Sequence, residues 1–441
     1  MKVLKTITLK HFGKKEQGKV RDIYKKDKLL ILITTDRISA FDRVLGCIPC
    51  KGQILNQLSQ FWFEKTKDFV ENHMIAVPDP NVMVVKKCQA LPIEVVVRGY
   101  ISGVTKTSLW LNYSQGKRVI YGLRFPNGLK KNQKLPKPII TPTTRATGPG
   151  GHDEKITKKE IINRKIVSKT LYEKAEKAAL ALFARGTEIC EKGGLILVDT
   201  KYEFGTYKGK LTLIDEVHTP DSSRFWIKDT YEKRLKQGKE PDNYDKEFLR
   251  LWYNKRGYLG DGTPPKMTPV LIRKVKERYI SVYEKITNQK FIPGKQPITK
   301  RIEENLTNYF VSLVIIAGSE RDKPFLHQIE QSLKKEKISY ILFFASAHKQ
   351  PLKVLEVINK YQSKNVIFLT VAGRSNALSG FVAANSRQPV IACPPFKDKL
   401  DYLVNIHSTL QMPSQVPVMT VVEPLNAVLA VKRIIGFNEK K

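Results

Sequence analysis

Acidic, hydroxyl and basic side chains are concentrated between residues 199 and 224, where they form two groups on consecutive apolar segments. In the first group, LILVDTKYEFG, the apolar residues 195–198 predict a buried strand. Asp199, Lys201 and Glu203 follow at every second position, so a strand would place all three on one face. Two carboxylates beside an ammonium group are suited to holding a metal ion and neutralising phosphate charge.

The second group, LTLIDEVHTPDSSR, repeats this arrangement after a hairpin-like connection, FGTYKGK. Its apolar strand ends in Asp215 and Glu216. The turn segment that follows carries further hydroxyl and charged residues, namely Thr219, Asp221, Ser222, Ser223 and Arg224. Paired strands would bring Glu203 and Asp215 within reach of one magnesium ion, which prefers carboxylate oxygens together with substrate phosphates. The alternative is a solvated hairpin edge, the commoner fate of charged strand residues.

The predicted strands, loops and helices that must position these groups follow one another in three regions of the chain. Residues 1 to about 115 alternate short apolar segments with turns and predict a mostly antiparallel nucleotide-binding lobe. Residues 116–155 are rich in Pro, Gly, Lys and Thr and predict a loop-heavy insertion. Helical spacing runs from about Ile156 to Cys190, and further helices are predicted up to about Asn288. The apolar stripe of the first helical region is Leu171, Ala175, Ala178, Ala179 and Leu182.

The last third of the chain has a different pattern. The polar stretch from Phe291 to Asn308 predicts a linker. VSLVIIA, ISYILFFA, NVIFLTVA and PVIACPP are then near-continuous apolar runs separated by helical segments, which is typical of a doubly wound α/β domain with a parallel sheet. The first three runs end in GSERD, SAHK and AGRSN, where such sheets bind ligands. His348 in SAHK is a candidate general acid or base, and a surface or capping role is the alternative.

Six ordered phrases make the first two thirds of the chain resemble the SAICAR synthetase (phosphoribosylaminoimidazole-succinocarboxamide synthase) family. They are GKVRDIY, TTDRISAFD, LPIEVVVRGYISG, GHDE, VDTKYEFG with DEVHTPDSSRFW, and YDKEFLRLW. The resemblance implies an α+β domain, ATP-grasp-like and two-lobed, over residues 1–290. It also implies a ligase that condenses carboxyaminoimidazole ribotide (CAIR) with L-aspartate, using ATP and magnesium.

On that resemblance, phosphoryl transfer from ATP activates the carboxylate, and the protein mainly positions groups and neutralises charge. The turn expected to contact the ATP phosphates consists of Gly18, Lys19, Val20 and Arg21. Glu203 and Asp215 are expected to hold magnesium, with Glu203 also close to the nucleotide, and Lys201 is expected to neutralise the transferred phosphoryl group. The residues expected to bind or orient substrate are Asp36, Arg98, Ser102, Asp199, Asp221, Ser223 and Arg224, and Asp199 is also a catalytic candidate beside Lys201.

GSERD, SAHKQP, AGRSNALSG and PVIACPP resemble the AIR carboxylase family, a lyase family that acts on aminoimidazole ribotide (AIR). AGRSN is similar to the animal-type branch, which implies direct use of carbon dioxide and no metal or organic cofactor. His348 would carry the ring proton, Ser319 and Asp322 would anchor the ribose and phosphate, and Ser346 and Lys349 would face the substrate. The loop expected to close over the reacting carbon is Gly373, Arg374, Ser375 and Asn376. This domain is expected over residues 309–441, so the chain would catalyse two consecutive steps of purine biosynthesis.

Two residues depart from the family patterns. Arg321 stands where the carboxylase loop usually has the second serine of Gly-Ser-x-Ser-Asp, and a guanidinium group differs from a hydroxyl in hydrogen-bond geometry. Val104 follows Gly103 where the synthetase family usually has serine, so Ser102 or Thr105 would have to supply that hydroxyl. One alternative is therefore that both folds are present and only one domain, the synthetase, is active.

Composition restricts the class of protein. A length of 441 residues with 41% apolar residues predicts a globular protein of two or three domains. No apolar run approaches a membrane span, so we expect a cytoplasmic protein, with an organellar transit segment in the basic first 15 residues as the alternative. Five cysteines in so long a chain do not predict a disulfide framework, and the lone C-x-x-C of Cys47 and Cys50 has no second pair to complete a zinc site.

The formal net charge of +35 is spread along the chain. Because there is no basic arm and no recognition motif, we expect this charge to favour anionic small substrates rather than nucleic acid. A basic nucleic-acid-binding protein remains the alternative from another class. A kinase-like phosphotransferase is a further alternative, although the chain lacks the H-R-D and D-F-G motifs. The carboxylase resemblance implies a homo-oligomer, and an octamer through the C-terminal domain.

Overall fold

The computed structural model describes residues 2–9, 12–26, 28–145, 153–374 and 376–438. The chain divides into two compact units, Met1–Glu303 and Glu304–Lys441. The division falls inside a helix, Ile298–Phe310, which occupies much of the stretch predicted to be a linker. The domain limits of residues 1–290 and 309–441 stay predictions. The first two residues of the GHDE phrase, and Ser375, lie outside the described residues.

The first unit combines antiparallel sheets with helices. Its strands are β1 (Lys15–Gln17), β2 (Arg21–Lys26), β3 (Leu29–Thr34), β4 (Arg37–Ala40), β5 (Arg43–Cys47), β6 (Met74–Asp79), β7 (Val82–Lys86), β8 (Gln89–Tyr100), β9 (Val119–Ile120), β10 (Leu123–Arg124), β11 (Lys134–Ile140), β12 (Thr143–Thr144), β13 (Leu195–Tyr207), β14 (Lys210–Ile214) and β15 (Ser223–Ile227). Its helices are α1 (Lys51–Thr66), α2 (Leu109–Ser114), α3 (Lys158–Asn163), α4 (Lys169–Lys192), α5 (Lys228–Lys236), α6 (Glu247–Asn254) and α7 (Pro269–Thr287), and α8 (Ile298–Phe310) crosses the division between the units.

Two larger sheets build this unit. One has the order β1-β2-β3-β7-β6, and the other has the order β11-β8-β13-β14, with β12 added to β8 and β15 added to β13. All pairs are antiparallel, which confirms the predicted antiparallel lobe. The predicted hairpin after the first acidic group is also confirmed, because Tyr207 pairs with Lys210 across two residues with positive φ.

Helix α4 packs behind the second sheet, and its sequence shows why. The Ser168 side chain caps it by accepting a hydrogen bond from the Leu171 amide at 3.3 Å. Ala175, Ala179 and Leu182, three residues of the predicted stripe, are fully buried in the core that also contains β13. The small alanine side chains let the helix approach the strand that carries Asp199, so the strand is fixed from behind.

Helix α1 contradicts the prediction of strands and turns alone for residues 1 to about 115. Its apolar residues Ile54, Leu55, Leu58 and Trp62 recur at helical spacing and are all buried. The helix is buried over most of its surface, so its polar residues do not form the exposed face by which an amphipathic helix is recognised.

Two further segments differ from the predictions. The insertion predicted to be loop-heavy contributes β11 and β12, both paired with β8. Pro136 and Pro138 argue against a strand in sequence, and the β11 register shifts across them because proline cannot donate to the ladder. Ser223 and Arg224 were predicted in a turn, but they begin the strand β15, whose first clear apolar signal comes only at Phe225.

The second unit is a parallel α/β domain. Its strands are β16 (Leu313–Ala317), β17 (Tyr340–Phe344), β18 (Ile367–Val371), β19 (Val390–Ala392) and β20 (Met419–Thr420). Its helices after α8 are α9 (Lys323–Lys335), α10 (Pro351–Tyr361), α11 (Ala377–Asn385), α12 (Lys399–Leu410) and α13 (Pro424–Asn438). The sheet order is β17-β16-β18-β19-β20 with parallel pairing throughout, which confirms the predicted doubly wound sheet. Among the described residues no helix is long and apolar enough to cross a membrane.

Candidate active site

Asp199 is the centre of a charged cluster on β13. The strands β8 and β15 flank β13 and place Arg98 and Arg224 opposite Asp199. Both guanidinium groups donate to the same carboxylate oxygen, Arg98 Nη1 at 3.1 Å and Arg224 Nη1 at 2.5 Å. Burial alone would lower the pKa of Arg224, but the Asp199 carboxylate more than offsets burial and raises it. Ser102 Oγ lies beside the same oxygen at 3.4 Å.

Lys201 lies between two carboxylates on the same sheet face. Its Nζ donates to Glu94 Oε1 at 2.6 Å and to Glu203 Oε1 at 3.0 Å. Burial would lower the pKa of Lys201, yet Glu203 and Glu94 outweigh burial and raise it, so the group stays an ammonium ion. Burial raises the pKa of Glu94, and Lys201 partly counteracts this. Lys201 therefore presents a fixed positive charge at its position on the sheet.

The two carboxylates predicted to hold magnesium are each next to a cation. Arg145 Nη2 lies 3.2 Å from Glu203 Oε2, a buried oxygen that accepts no hydrogen bond from any residue the structure describes. Arg21 contacts Asp215 and also lies 3.5 Å from Glu216. A carboxylate oxygen that is ion-paired but accepts no hydrogen bond retains lone pairs with which it can ligate a hard cation such as magnesium. No three Asp, Glu, His or Cys side chains in the described residues are grouped to hold a metal, so substrate phosphates and water would supply the other ligands.

The turn predicted to contact phosphates is held from behind by Arg37. The Gly18 amide donates to Arg21 O at 2.8 Å, which closes the turn. Arg37 donates to the carbonyl oxygens of Gly18 at 3.0 Å, Lys19 at 3.0 Å and Arg21 at 3.1 Å. The Lys19 ammonium pairs with Asp42 at 2.6 Å and is about half exposed. Because Arg21 contacts Asp215, this turn is connected to the second acidic group.

Asp36 is not part of this arrangement of charged side chains. It is buried and accepts hydrogen bonds from the amides of Leu4 at 2.8 Å and Gly52 at 3.0 Å. Burial raises the pKa of Asp36. The neighbouring Thr35 amide donates to Val20 O at 2.9 Å, which connects the turn of residues 18–21 to this segment. The contacts of Asp36 are those of a residue that fixes the N-terminal segment to α1.

A cavity of about 160 Å³ lies over the Asp199 cluster. Six predicted site residues line it: Arg98, Asp199, Lys201, Asp221, Ser223 and Arg224. Thr105, one of the two candidates for the missing hydroxyl, also lines it, together with four residues that were not predicted as site residues: Thr107, Asp245, Lys246 and Arg250. Three guanidinium and two ammonium groups therefore surround the space, which suits a substrate carrying phosphate or carboxylate groups.

Asp221 is fully engaged by the protein at one side of this cavity. It accepts from Lys51 at 2.8 Å and from Tyr279 OH at 2.6 Å, and Lys246 lies at 3.2 Å. Burial would raise the pKa of Asp221, but Lys246 and Lys51 lower it well below its usual range. Asp221 thus fixes two lysines as well as lining the space.

The structure distinguishes Ser102 from Thr105, the two candidates to replace the hydroxyl missing at Val104. Val104 is 45% exposed. Thr105 lines the cavity, whereas Ser102 is buried against Asp199 and is not in the lining. Ser223 lines the cavity, but its hydroxyl donates to Thr200 Oγ1 at 2.7 Å. Thr105 is the better placed of the two to meet a substrate.

A second cavity, of about 300 Å³, lies elsewhere in the first unit. Lys117, Lys155 and Glu160 are its charged lining residues. None of the residues predicted from the sequence lines it. We therefore assign the candidate active site to the smaller cavity, because the charged cluster rather than the volume indicates chemistry.

In the second unit the three predicted loops begin side by side. Ala317, the last residue of β16, pairs with Phe344 of β17 and Val371 of β18, and each strand is followed by one of the polar motifs. His348 is exposed after β17. Such a strand edge is where ligands bind in sheets of this type.

The loop side chains make local contacts. Ser319 Oγ accepts from the Arg321 amide at 3.1 Å, and burial raises the pKa of Asp322. Ser346 Oγ accepts from the Lys349 amide at 3.3 Å, and Lys349 is exposed. In the third loop, Arg374 has a positive φ of 53° and Asn376 is buried at the start of α11, with Gly373 before them.

Comparison with known proteins assigns the first unit. The family model for SAICAR synthetase matches residues 14–265. A phosphoribosylaminoimidazole-succinocarboxamide synthase of Legionella pneumophila (strain Paris) is 50% identical over 304 residues, covering 68% of this chain and 96% of the relative. The chain belongs to the SAICAR synthetase family. A chloroplastic synthase of Arabidopsis thaliana is 47% identical over 301 residues, covering 67% of this chain and 72% of the relative.

A solved SAICAR synthase from Saccharomyces cerevisiae, complexed with SAICAR, is similar to the synthetase domain with a TM-score of 0.57 and 32% identity, covering 66% of this chain and 100% of that chain. The family model for AIR carboxylase matches residues 312–441. The chain therefore joins a ligase domain and a lyase domain that belong to two consecutive steps of purine biosynthesis.

Sequence reasoning missed Glu94, the partner of Lys201, and several residues that line the cavity of the synthetase domain. Glu94 stands four positions before Arg98 in an otherwise apolar strand, and an acidic residue in such a run was a usable signal. Asp245 accepts from the amides of Phe225 at 2.9 Å and Glu247 at 2.7 Å, and burial raises its pKa to about 7. Asp245, Lys246 and Arg250 all lie in the YDKEFLRLW phrase, so the resemblance was the available signal, although spacing alone does not place them on the cavity.

Proposed function

We propose that the carboxylase domain adds carbon dioxide to AIR and that the synthetase domain condenses the resulting CAIR with L-aspartate, using ATP and magnesium. The observation that carries the synthetase half is the cavity where Arg98 and Arg224 converge on Asp199 beside Lys201. The bound SAICAR of the yeast relative supports the product. The joining of the two domains supports a shared intermediate, since CAIR leaves one reaction and enters the other.

In the synthetase domain, the guanidinium groups of Arg98, Arg224 and Arg250 bind the ribose phosphate and carboxylate of CAIR. Asp199 holds two of them in place, so their orientation does not depend on substrate. Glu203 and Asp215 would hold magnesium, which neutralises phosphate charge when bound.

Lys201, fixed as a cation by Glu94 and Glu203, stabilises charge on the transferred phosphoryl group. Phosphoryl transfer from ATP to the CAIR carboxylate creates a leaving group. The aspartate amine then attacks the acyl carbon, the carbon–oxygen bond to phosphate breaks, and an amide forms.

In the carboxylase domain, the electron-rich ring carbon of AIR forms a bond to the carbon of carbon dioxide. The proton on that ring carbon must leave, and His348 accepts it. His348 is exposed at the strand edge, so it can return the proton to water. Ser319 and Asp322 bind the ribose and phosphate, Ser346 and Lys349 face the carboxylate, and the Arg374 loop covers the reacting carbon.

We also infer a homo-oligomer formed through the carboxylase domain. Helix α12 exposes Leu400, Leu403 and Leu410 by 73%, 52% and 61%, an apolar surface that a second copy would cover. Light scattering should give a mass that is a multiple of the chain's 50.4 kDa. We further infer a cytoplasmic location from the small number of cysteines in so long a chain.

Each half of the proposal is tested by its own assay. CAIR, L-aspartate and magnesium-ATP should give SAICAR and ADP with the wild-type chain, and Lys201→Met should abolish SAICAR but leave AIR carboxylation unchanged. AIR and bicarbonate should give CAIR, and His348→Asn should abolish only that product. If Lys201→Met still formed SAICAR and His348→Asn still formed CAIR, the assigned roles would be contradicted. A wild-type chain that makes SAICAR from CAIR but never makes CAIR would support the alternative with one active domain.

A further inference from the structure

One buried amide side chain joins two strand-end loops of the carboxylase domain. Asn405, on α12, is 3% exposed. Its Oδ1 accepts a hydrogen bond from the Arg374 amide, in the loop after β18. Its Nδ2 donates to Pro395 O at 2.6 Å, in the loop after β19. The amide therefore uses its acceptor on one loop and its donor on the neighbouring loop.

Two further side chains of α12 hold the same loop. Ser408 Oγ accepts from the Asn376 amide at 3.2 Å and donates to Arg374 O. Thr409 Oγ1 accepts from Asn376 Nδ2 at 2.9 Å. Arg374 and Asn376 are thus fixed through their backbone and amide groups, which leaves the Arg374 guanidinium available to a ligand.

The loop backbone needs such support. Arg374 has a φ of 53°, a left-handed conformation that is unfavourable for a non-glycine residue because its Cβ crowds the following carbonyl oxygen. A Cβ atom at Gly373 would lie 3.1 Å from Asn405 Nδ2, so glycine permits the close approach of the loop to α12. Without bonds from outside, this conformation would compete with others in which Arg374 points elsewhere.

We propose that Asn405 is a positioning residue of the carboxylase site. Its bond to the Arg374 amide sets the loop that covers the reacting carbon, and its bond to Pro395 O fixes the adjacent loop against it. The proposal rests on the carboxylase function proposed for this domain. Only an amide side chain of this length supplies both an acceptor for the Arg374 amide and a donor to Pro395 O. Substitution of Asn405 by Asp therefore removes the donor alone, and substitution by Leu removes both.

The two substitutions separate the two bonds. Asn405→Asp keeps an acceptor for the Arg374 amide and loses the donor to Pro395 O. Asn405→Leu keeps a similar volume and loses both. Asn359→Leu, on an exposed position of α10, is the matched control. All variants are made in the full chain, whose synthetase activity on CAIR serves as an internal control for folding of the first unit.

Hydrogen exchange of the Arg374 amide, measured by mass spectrometry, reports on its hydrogen bond to Asn405 independently of enzymatic activity. We expect Asn405→Leu to accelerate exchange of this amide by about tenfold, the effect of losing one hydrogen bond of ordinary strength, and Asn405→Asp to leave it within about threefold of wild type. We expect kcat for carboxylation to fall by about tenfold in Asn405→Leu, with a smaller fall in Asn405→Asp and little change in KM for AIR. Synthetase activity and Asn359→Leu should match wild type.

Three results would overturn the proposal. Unchanged exchange of the Arg374 amide in Asn405→Leu would show that the bond does not hold the loop. Accelerated exchange with wild-type kcat would show that the loop does not need to be held for catalysis, leaving Asn405 a purely structural role. A wild-type chain that does not carboxylate AIR would refute the carboxylase function itself, and the positioning role with it, whatever the exchange shows.

Discussion

Replacing Asp199 by asparagine should destabilise the synthetase domain and leave two arginines that bind anions more tightly. In the wild-type protein one carboxylate oxygen is shared by Arg98 and Arg224, whose side chains are only 7% and 15% exposed. Asp199→Asn preserves the shape but removes the charge, and the two guanidinium groups then repel each other. Breaking a buried pair by removing one partner costs about 3–5 kcal/mol. We expect about 3 kcal/mol, because the cavity admits some water to Arg224.

The assay can be confined to the right domain because all four tryptophans of the chain lie in the first unit. Urea unfolding followed by tryptophan fluorescence therefore reports the synthetase domain alone. Inorganic phosphate should stabilise Asp199→Asn more than wild type, since an anion between the two arginines replaces the lost charge and binding to the folded state stabilises it. Asp229→Asn, at an exposed position on α5, should stay within about 0.5 kcal/mol of wild type. Equal stability of Asp199→Asn and wild type, with no added effect of phosphate, would refute the reasoning.

Three further outcomes are expected. Glu203→Gln should raise the magnesium concentration needed for half-maximal SAICAR formation by about tenfold or more, and an unchanged magnesium dependence would exclude Glu203 as a ligand. Burial lowers the pKa of His218 from 6.5 to about 3, so the stability that the neutral ring confers is lost as pH falls below about 6.5. His218→Gln should accordingly reduce the slope of unfolding free energy against pH between about 6 and 4 by up to about 1.4 kcal/mol per pH unit, and an unchanged slope would contradict this. Thr105→Val should raise KM for CAIR by about tenfold while Val104→Ser changes it little, and equal effects would show that Thr105 does not supply the hydroxyl.

The parts of the fold that could be predicted are those in which the local pattern of apolar residues matches the pattern of buried residues. The parallel sheet was predictable because strands covered on both faces have continuous apolar runs: those ending at Ala317 and Val371 are fully buried, and the edge strand ending at Phe344 is half-buried. Helix α4 was predictable because its small apolar residues recur at helical spacing. Helix α1 was not, because many of its polar residues are buried as well, so it lacks the exposed polar face by which an amphipathic helix is recognised.

The candidate site was predictable only where its residues lie close together in sequence. Asp199, Lys201 and Glu203 share one strand face, and spacing alone places them together. Their partners come from strand register and from distant helices. Glu94 reaches Lys201 from β8, 107 positions away, and Arg250 reaches the cavity from α6. Register depends on the pairing of whole strands, which no short motif encodes.

The central claim is that one chain carries out both steps, and isotope labelling tests it most directly. Wild-type protein is incubated with AIR, ¹³C-bicarbonate, L-aspartate and magnesium-ATP, and the products are identified by mass spectrometry. We predict SAICAR carrying one ¹³C atom, because the carboxyl carbon added in the first step becomes the amide carbon of the second. Labelled CAIR without SAICAR, or no labelled imidazole product at all, would contradict the claim.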